Sequence, residues 1–297
     1  MKKYFFINSF LLITALFNYG YAEENGETKV EGEVTQGLRK DSLTTSFSGP
    51  HGKPKKMMKS KYKDINVYDT RVQGKVSNSG YFLRGMAGYG VVLNGKWQNS
   101  GYLRGPMTGN EKVEFARSHG KVKDDYTFDS QILFGKDFAL GEVLSIAPTI
   151  GYGYYKMNLE TKKLKSRIFG QSVKGGKLRD RSTWYGPQAG LQAKLALSES
   201  FRITAEYNYL FALQGRSNTH VKHTKYNFHK KAHGYGHIGV VGAELDLTKQ
   251  IALKLEGELM KFATNKGKLT KPKHEHLRVH EIERIAKEVR LSLIYKF

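Results

Sequence analysis

The sequence predicts an all-β fold, a transmembrane antiparallel up-and-down β-barrel of about ten strands with short turns at one end and long loops at the other. Three observations predict it: the period-two alternation of the last segment, an apparent secretion signal, and the lack of a later apolar run of about 20 residues. An exported chain without such a run can be integral to a membrane only as a closed barrel.

The last segment shows the strand pattern most clearly. Counting back from Phe297, apolar side chains stand at Tyr295, Leu293, Leu291 and Val289, with mainly polar residues between them. Period two is that of a strand with one apolar face. A terminal aromatic residue on such a strand is typical of the closing strand of a bacterial outer-membrane barrel. We expect Phe297, Tyr295, Leu293 and Leu291 to form a barrel-closing signature that engages the barrel-assembly machinery.

The N-terminal segment predicts export. Lys2 and Lys3 precede a mainly apolar run from Tyr4 to Phe17, and Ala22 is the expected cleavage point of a signal peptide at residues 1–22. A signal anchor is the alternative, but the run is short for a bilayer. Residues 23–34 are expected to be a polar leader with little order, and residues 35–297 to be the barrel.

Composition agrees with a barrel and excludes some chemistry. The hydrophobic fraction is 39% and the mean hydropathy −0.53, values that barrels share with soluble proteins because every second strand residue faces a polar interior. Proline is scarce, with 6 residues, as a hydrogen-bonded ladder requires. The absence of cysteine excludes disulfides, thiolate metal sites and a cysteine nucleophile.

The strands are predicted in order along the chain. Thr35–Phe47 and Lys61–Gln73 are weakly alternating candidates, the second with Ile65 and Val67 on one face. From Tyr81 onward the alternation sharpens. The expected apolar faces there comprise Tyr81, Leu83, Ala87, Tyr89, Val91 and Leu93; Tyr126, Phe128, Ile132 and Phe134; Leu144, Ile146, Pro148, Ile150, Tyr152 and Tyr154; Tyr185, Pro187, Ala189, Leu191, Ala193 and Leu195; and Phe201, Ile203, Ala205, Tyr207 and Tyr209.

The remaining strands complete an even number. Tyr235–Leu247, Ile251–Phe262 and about 280–297 are expected, although residues 281–287 could equally form a helical turn. Short turns are expected near residues 140–142, 198–200 and 248–250. Short and long connections alternate, which places the short turns and both chain ends in the periplasm. A soluble β-sandwich would not require this parity.

Charged residues on the polar faces are expected to fill the lumen. Their predicted inward positions are Arg84, Asp129, Arg202, Glu206, Glu244, Glu256, Glu258 and Arg290. Opposite charges should pair there, because an unpaired buried charge is costly. Open aqueous channels typically need about 16 to 18 strands. The sequence therefore predicts a largely filled lumen with a small or closed pore.

Basic residues concentrate in the predicted outer loops. They comprise Lys162, Lys163, Lys165, Arg167, Arg179, Arg181, Lys222, Lys225, Lys230 and Lys231. Such loops would raise the local concentration of anions. Lipopolysaccharide phosphates and outer-membrane lipids are the expected partners, and host polyanions are the next candidates. The alternative is a solvated charged face without a specific ligand; the secretion signal disfavours nucleic acid.

Histidines also cluster in the predicted loops. His220, His223, His274 and His276 could form chelating pairs, with Glu275 the nearby carboxylate. Histidine is a common metal ligand, but so few ligands favour solvated loop histidines over a metal site. We expect no metal and no cofactor.

Several short segments carry a resemblance to a known family. Gly37–Leu43, Ser48–Pro54 and Tyr81–Gly90 resemble landmarks of the Protochlamydia outer membrane protein family of chlamydia-like bacteria. The resemblance continues in the same order at Phe115–Ser118, Pro148–Tyr152, Trp184–Pro187 and Gly234–Gly236. It implies an outer-membrane barrel of a Gram-negative bacterium and says little about activity.

A more distant resemblance is to the omptins, ten-stranded outer-membrane proteases that require lipopolysaccharide. Trp184–Leu191 is similar to an omptin segment, and the resemblance implies two catalytic rims, an Asp pair and an Asp-His pair. The first rim here carries Gln98 and Asn99, and the second, at Arg216–His220, keeps a histidine without an adjacent aspartate. Neutral amides cannot act as a general base, so the chain is expected not to be an enzyme.

The expected function is that of a structural or surface-interaction scaffold presenting basic loops to lipopolysaccharide or host polyanions. Two alternatives stay open: a narrow anion-preferring pore, and a divergent omptin-like hydrolase in which Asp124 and Asp125 would be the first residues to replace.

Overall fold

A computed structural model describes residues 28–48, 57–104, 112–123, 125–168, 171–174, 177–221, 227–264, 267–271 and 278–297. The elements within these ranges are β-strands. They are β1(Lys29–Ser48), β2(Met58–Asn78), β3(Tyr81–Arg104), β4(Lys112–Val122), β5(Asp125–Lys136), β6(Phe138–Leu140), β7(Leu144–Ile168), β8(Gln171–Lys174), β9(Leu178–Ala196), β10(Phe201–Val221), β11(Asn227–Asp246), β12(Ile251–Thr264), β13(Gly267–Lys271) and β14(Arg278–Lys296). Among the described residues, no helix is long and apolar enough to cross a membrane.

The strands form one closed antiparallel ring. The first strand, β1, pairs with β2 on one side and with β14 on the other. The β1–β14 seam runs from Glu31 opposite Lys296 to Ser48 opposite Arg278. β4 and β5 lie end to end and together occupy one position of the ring, between β3 and β7. β12 and β13 likewise share the position between β11 and β14. The ring therefore has ten strand positions, and the predicted ten-stranded barrel is confirmed.

Short connections lie at one end of the barrel. Ser79 and Gly80 turn the chain between β2 and β3, both with positive φ, and Gly141 adopts a positive φ in the next short turn. The predicted turns near residues 198–200 and 248–250 are also present. The amide of Phe297 donates to the carbonyl of Val30 at 2.9 Å, so the end of the last strand is tied to the first strand at this end.

The strands are much longer than a membrane requires. β3 has 24 residues and β7 has 25, whereas about 9 to 11 residues cross a bilayer. The extra length lies toward the long connections, where β7 runs to Ile168 and β9 begins at Leu178. The wall of the barrel therefore extends beyond the membrane on the outer side, and much of the region predicted as loops is sheet.

Two sequence predictions about boundaries need correction, and one alternative that the sequence left open is resolved. β1 begins at Lys29, so residues 29–34 of the predicted leader belong to the barrel, where Glu33 and Thr35 are buried on the lumen side. β2 extends to Asn78. Residues 281–287 are strand and not a helical turn. In each case charged residues facing the lumen hide the apolar alternation, and pairing with neighbouring strands determines the conformation.

The outer face of the ring is apolar with an aromatic girdle. The predicted outward residues Leu83, Ile132 and Ile150 are 50%, 51% and 63% exposed, which confirms the direction of these faces. Tyr89 stacks on Tyr126 with ring centroids 5.7 Å apart. Further ring pairs on this face include Phe128–Tyr154, Tyr154–Tyr185 and Tyr209–Tyr235. Apolar walls flanked by aromatic girdles are what barrel strands present to lipid.

Candidate functional site: a filled lumen and a basic outer wall

The middle of the lumen holds a layer of paired charges, here called the charge layer. Its cations are Arg39, Arg71, Arg84, Lys254, Arg284 and Arg290, and its carboxylates are Glu33, Asp41, Asp69, Asp129, Glu206, Glu256, Glu258 and Glu288. The cations project inward from β1, β2, β3, β12 and β14, and the carboxylates from β1, β2, β5, β10, β12 and β14, because every second strand residue faces the lumen.

Arg39 lies at the centre of this layer and is 2% exposed. Its Nη1 donates to Asp129 Oδ2 at 2.8 Å and to Asp69 Oδ1 at 3.3 Å. Its Nε lies 3.3 Å from Asp41 Oδ1. Arg284 approaches the same aspartate from β14, with Nη2 3.2 Å from Asp41 Oδ2. The two guanidinium groups thus connect β1, β2, β5 and β14 across the lumen.

A second group of charge contacts surrounds Arg71. This guanidinium donates to both oxygens of Glu258, at 2.9 and 3.1 Å, and to Asp69 at 2.7 Å. Arg290 donates to Glu256 at 2.6 Å and also contacts Glu258. Multiple hydrogen bonds between planar guanidinium and carboxylate groups fix the geometry as well as neutralising charge. These side chains are therefore held in place and not available to passing ions.

The remaining lumen pairs lie nearer the short-turn end. Arg84 on β3 spans the lumen to Glu206 on β10 with two hydrogen bonds of 2.8 and 2.5 Å. Arg202 donates to Glu244 at 2.7 Å and to Asp246 at 2.6 Å. The structure thus places the sequence-predicted inward residues in the lumen and joins each to an opposite charge.

Little space remains between these side chains. A cavity of about 50 Å³ lies among Arg71, Gln73, Arg84, Asn208 and Met260. A water molecule occupies about 30 Å³ in the liquid. The cavity therefore has room for one or two ordered waters and is too small for a hydrated channel.

An apolar layer closes the lumen on the outer side of the charges. Trp184 and Phe262 stack with centroids 5.6 Å apart, and Tyr155 lies 4.8 Å from Phe262. Tyr62, Trp97, Leu43 and Ile282 belong to the same buried cluster. The guanidinium of Arg284 lies 5.8 Å from the Phe262 ring and connects the two layers. Two successive layers of packed side chains, one charged and one apolar, fill the described part of the lumen.

Sequence reasoning missed about half of the charge layer. The members of the layer that were not predicted to face inward are Glu33, Arg39, Asp41, Asp69, Arg71, Lys254, Arg284 and Glu288. In β1 two successive charged residues, Arg39 and Lys40, interrupt the alternation of polar and apolar residues. The alternation does not show which of them faces the lumen. In the structure Arg39 is buried and Lys40 is exposed. The signal that could have identified them is period two among charged residues alone, in Arg39 and Asp41 and again in Asp69 and Arg71.

The basic residues predicted to lie in loops are largely on strands. Lys162, Lys165 and Arg167 belong to β7, and Arg179 and Arg181 to β9. The structure leaves Lys165, Arg167, Arg179 and Arg181 exposed and Lys162 partly exposed. Lys163 is on β7 and Lys230 and Lys231 are on β11, with side chains outside the described set; Lys222 and Lys225 lie outside the described residues. The basic region is therefore a feature of the outer wall as much as of the loops.

Two carboxylates on the outer wall are already engaged by cations. Glu160 lies 3.0 Å from Arg179 and 3.8 Å from Lys177. Partial burial opposes ionisation of Glu160, but the hydrogen bond and charge of Arg179 lower the pKa of its carboxyl. Asp64 lies 2.8 Å from Lys40, whose hydrogen bond and charge lower the pKa of Asp64. Both acids stay ionised at neutral pH, and the wall remains basic.

The residues considered for catalysis or metal binding are not gathered into a described site. Gln98 and Asn99 on β3 lie opposite His119 and Ser118, and His220 on β10 lies opposite Arg179. The side chain of His220, and the whole of His223, His274 and His276, lie outside what the structure describes. Within the described residues, no group of three His, Asp or Glu side chains is arranged to hold a metal ion.

The closed ring, the apolar outer face and the aromatic girdle define a transmembrane β-barrel. The family model for Protochlamydia outer membrane protein matches residues 33–290, and the chain belongs to this family. The protein is therefore an outer-membrane β-barrel protein. No curated protein matches the chain.

One solved structure shares the fold at low sequence identity, and another is less similar. The outer membrane protease OmpT from Escherichia coli is similar with a TM-score of 0.73 and 9% identity, covering 94% of this chain and 99% of that one. The translocator domain of the autotransporter NalP from Neisseria meningitidis has a TM-score of 0.40 and 11% identity, covering 96% of this chain and 93% of that one. The likeness to OmpT supports the barrel fold and carries no information on activity.

Proposed function

We propose that this protein is a closed outer-membrane scaffold whose surface role lies in its basic outer wall and loops, which attract lipopolysaccharide phosphates or host polyanions. The observation that carries the proposal is the pair of layers in the lumen. When the lumen of a barrel is filled across its middle, the interior has little free volume for a ligand or an ion. The outer surface is then the part of the protein that can interact with other molecules. The exposed Lys165 on β7 and Arg181 on β9 supply cations at the outer end.

The filled lumen argues against the narrow anion-preferring pore. An anion pathway would need lumen cations free to bind and release ions in succession. Arg84, Arg202 and Arg290, the natural selectivity candidates, each hydrogen-bond to carboxylates. Exchanging such a contact for a passing anion would leave a buried carboxylate without its partner, which is costly.

The proposal also includes the absence of enzymatic activity. Gln98 and Asn99 supply neutral amides where an omptin-like rim would need carboxylates, and amides do not accept a proton as a general base. Asp125, the described acid of the pair considered for a divergent site, is 9% exposed and accepts a hydrogen bond from Asn158. It lies within the wall of the barrel and is not presented at a rim.

Single-channel recording in a planar bilayer tests the proposal. Refolded protein whose unboiled gel mobility shows a compact barrel should give no discrete conductance steps, because the two layers block the lumen. A heated sample of the same preparation is run on the gel as the unfolded control. Reproducible anion-selective steps from the compact form would replace the scaffold with the pore.

A further inference from the structure

A row of lysines crosses four adjacent strands of the outer wall. Lys63 on β2 lies directly opposite Lys96 on β3, and Lys96 lies opposite Lys121 on β4. Lys121 in turn lies opposite Lys162 on β7. Directly opposed residues have Cβ atoms about 5 Å apart, and like charges in this position destabilise a sheet. We call Lys63, Lys96, Lys121 and Lys162 the lysine row.

The lysine row faces outward. The neighbours of its members along each strand, Tyr62, Trp97, Val122 and Thr161, are buried on the lumen side. Because successive strand residues point to opposite faces, the four lysines project away from the barrel. Lys63, Lys96 and Lys121 are exposed, and Lys162 is partly exposed.

The position of the row along the strands places it just outside the apolar wall. Leu93, which is 46% exposed, is the last large apolar residue on the outward face of β3 before Lys96. Tyr126 of the girdle follows Lys121 on the same side of the barrel, and Lys156 Nζ lies 5.2 Å from the Tyr126 ring. The row therefore starts at the depth of lipid headgroups and continues up the extracellular part of β7.

The nearby acids do not neutralise Lys63, Lys96 and Lys121 of the row. Asp64 is ion-paired with Lys40, and Glu160 with Arg179 and Lys177. Among the described side chains, no carboxylate lies within ion-pair distance of Lys63, Lys96 or Lys121. Asp64 acts on Lys63 and Lys96 at longer range. Glu160 also acts electrostatically on Lys162, at the β7 end of the row. The three directly opposed cations Lys63, Lys96 and Lys121, with so little compensation, would lower the stability of the sheet unless anions from outside the chain lie between them.

We propose that the lysine row binds the phosphate groups of the phosphorylated glycolipid in the surrounding outer leaflet. This inference rests on the proposed function and assigns the ligand to particular residues. The row spans about 15 Å across four strands, which suits several phosphates held at once better than a single small anion. Lipid headgroups are supplied at this depth at high local concentration, and each lysine near an anionic lipid surface adds to the attraction.

Binding measurements in a neutral detergent test the assignment. Bisphosphorylated lipid A is titrated into wild-type protein and into Lys96→Gln/Lys121→Gln, which removes the two central charges and keeps the side-chain length. The matched control is Lys29→Gln/Lys249→Gln, which removes two exposed charges at the short-turn end. The row variant should bind at least about tenfold more weakly than wild type, and the control should be unchanged.

Two further measurements separate binding from structural damage. Without lipid, the row variant should unfold at the same temperature as wild type or higher, because mutual repulsion has been removed. Lipid A from which both phosphates have been cleaved should bind wild type and row variant equally. Inorganic phosphate should compete only weakly with lipid A, because one phosphate ion can lie between only one pair of neighbouring lysines.

The outcomes distinguish this inference from the proposed function. If wild type and row variant bind phosphorylated lipid A with equal affinity, the row is not the site, and the surface role then falls to the outer ends of β10 and β11. If wild type shows no phosphate-dependent binding, the glycolipid part of the proposed function fails as well. Tighter, row-dependent binding of heparin than of lipid A would assign the row to a soluble sulfated polysaccharide and overturn the proposal.

Discussion

At the scale of single residues, the Arg84–Glu206 pair illustrates how the lumen is held closed. Both side chains are largely buried, and two hydrogen bonds join β3 to β10 across the interior. A buried charge pair contributes little over an apolar pair of equal volume, yet the loss of one partner leaves the other charge uncompensated. The pair therefore adds little to the stability of the barrel. Its main effect is to determine which side chains contact each other across the lumen.

Arg84→Met should lower the free energy of unfolding by about 3 to 5 kcal/mol, because Glu206 is left buried without its cation. The double variant Arg84→Met/Glu206→Leu should recover most of the loss, since both charges are gone. Urea unfolding from lipid vesicles measures both. Arg179→Met provides the exposed control, with a cost below about 1 kcal/mol. Equal stability of the single and double variants would show that Glu206 finds compensation elsewhere.

At the scale of elements, strand β14 combines both environments of the barrel. Leu291 and Leu293 face outward at 54% and 53% exposure, while Glu288 and Ser292 between such positions are buried in the lumen. Pairing with β1 and β12 along nearly the whole strand closes the ring. The alternation of apolar residues in the sequence of β14 therefore identifies the side of the strand that faces lipid.

Leu291→Arg should cost about 2 to 4 kcal/mol in folding free energy if the residue lies near the bilayer midplane, because arginine there is exposed to hydrocarbon. Leu247→Arg is the control, since Leu247 is 53% exposed in the turn after β11 and lies outside the strands. Folding titrations into vesicles compare the two. Similar costs at both positions would mean that the outward face of β14 does not contact lipid.

The same elements show how far the sequence determines this fold and where it does not. In β3, β5 and β7 the apolar side chains alternate, so the strands and their lipid face could be predicted from residues such as Leu83, Ile132 and Ile150. Toward the outer end the outward face of a strand becomes polar and the lumen face becomes apolar, as at Tyr62, Trp97 and Val122, so the apolar period no longer marks the lipid-facing side. Arg179 is in a strand because β9 pairs with β7 there, and Lys162 because β7 pairs with β4. The lysine row exists only through the register of four strands.

At the scale of the whole molecule, the charge layer and the apolar layer act as two barriers in series. Trp184 and Phe262 pack in the outer layer, and Arg84 and Glu206 bridge the inner one. Either layer fills the lumen by itself, so an ion that passed one would still meet the other. We expect a closed barrel of this kind to tolerate the loss of one layer without becoming a channel.

This arrangement predicts a non-additive effect on conductance. Trp184→Ala/Phe262→Ala and Arg84→Ala/Glu206→Ala should each remain silent in planar bilayers, whereas the combined fourfold variant should show discrete steps because both layers are then perforated. Unboiled gel mobility confirms that each variant is a compact barrel before recording. Steps from the variant that lacks only Trp184 and Phe262 would show that the charge layer is permeable, and that the aromatic layer alone closes the barrel.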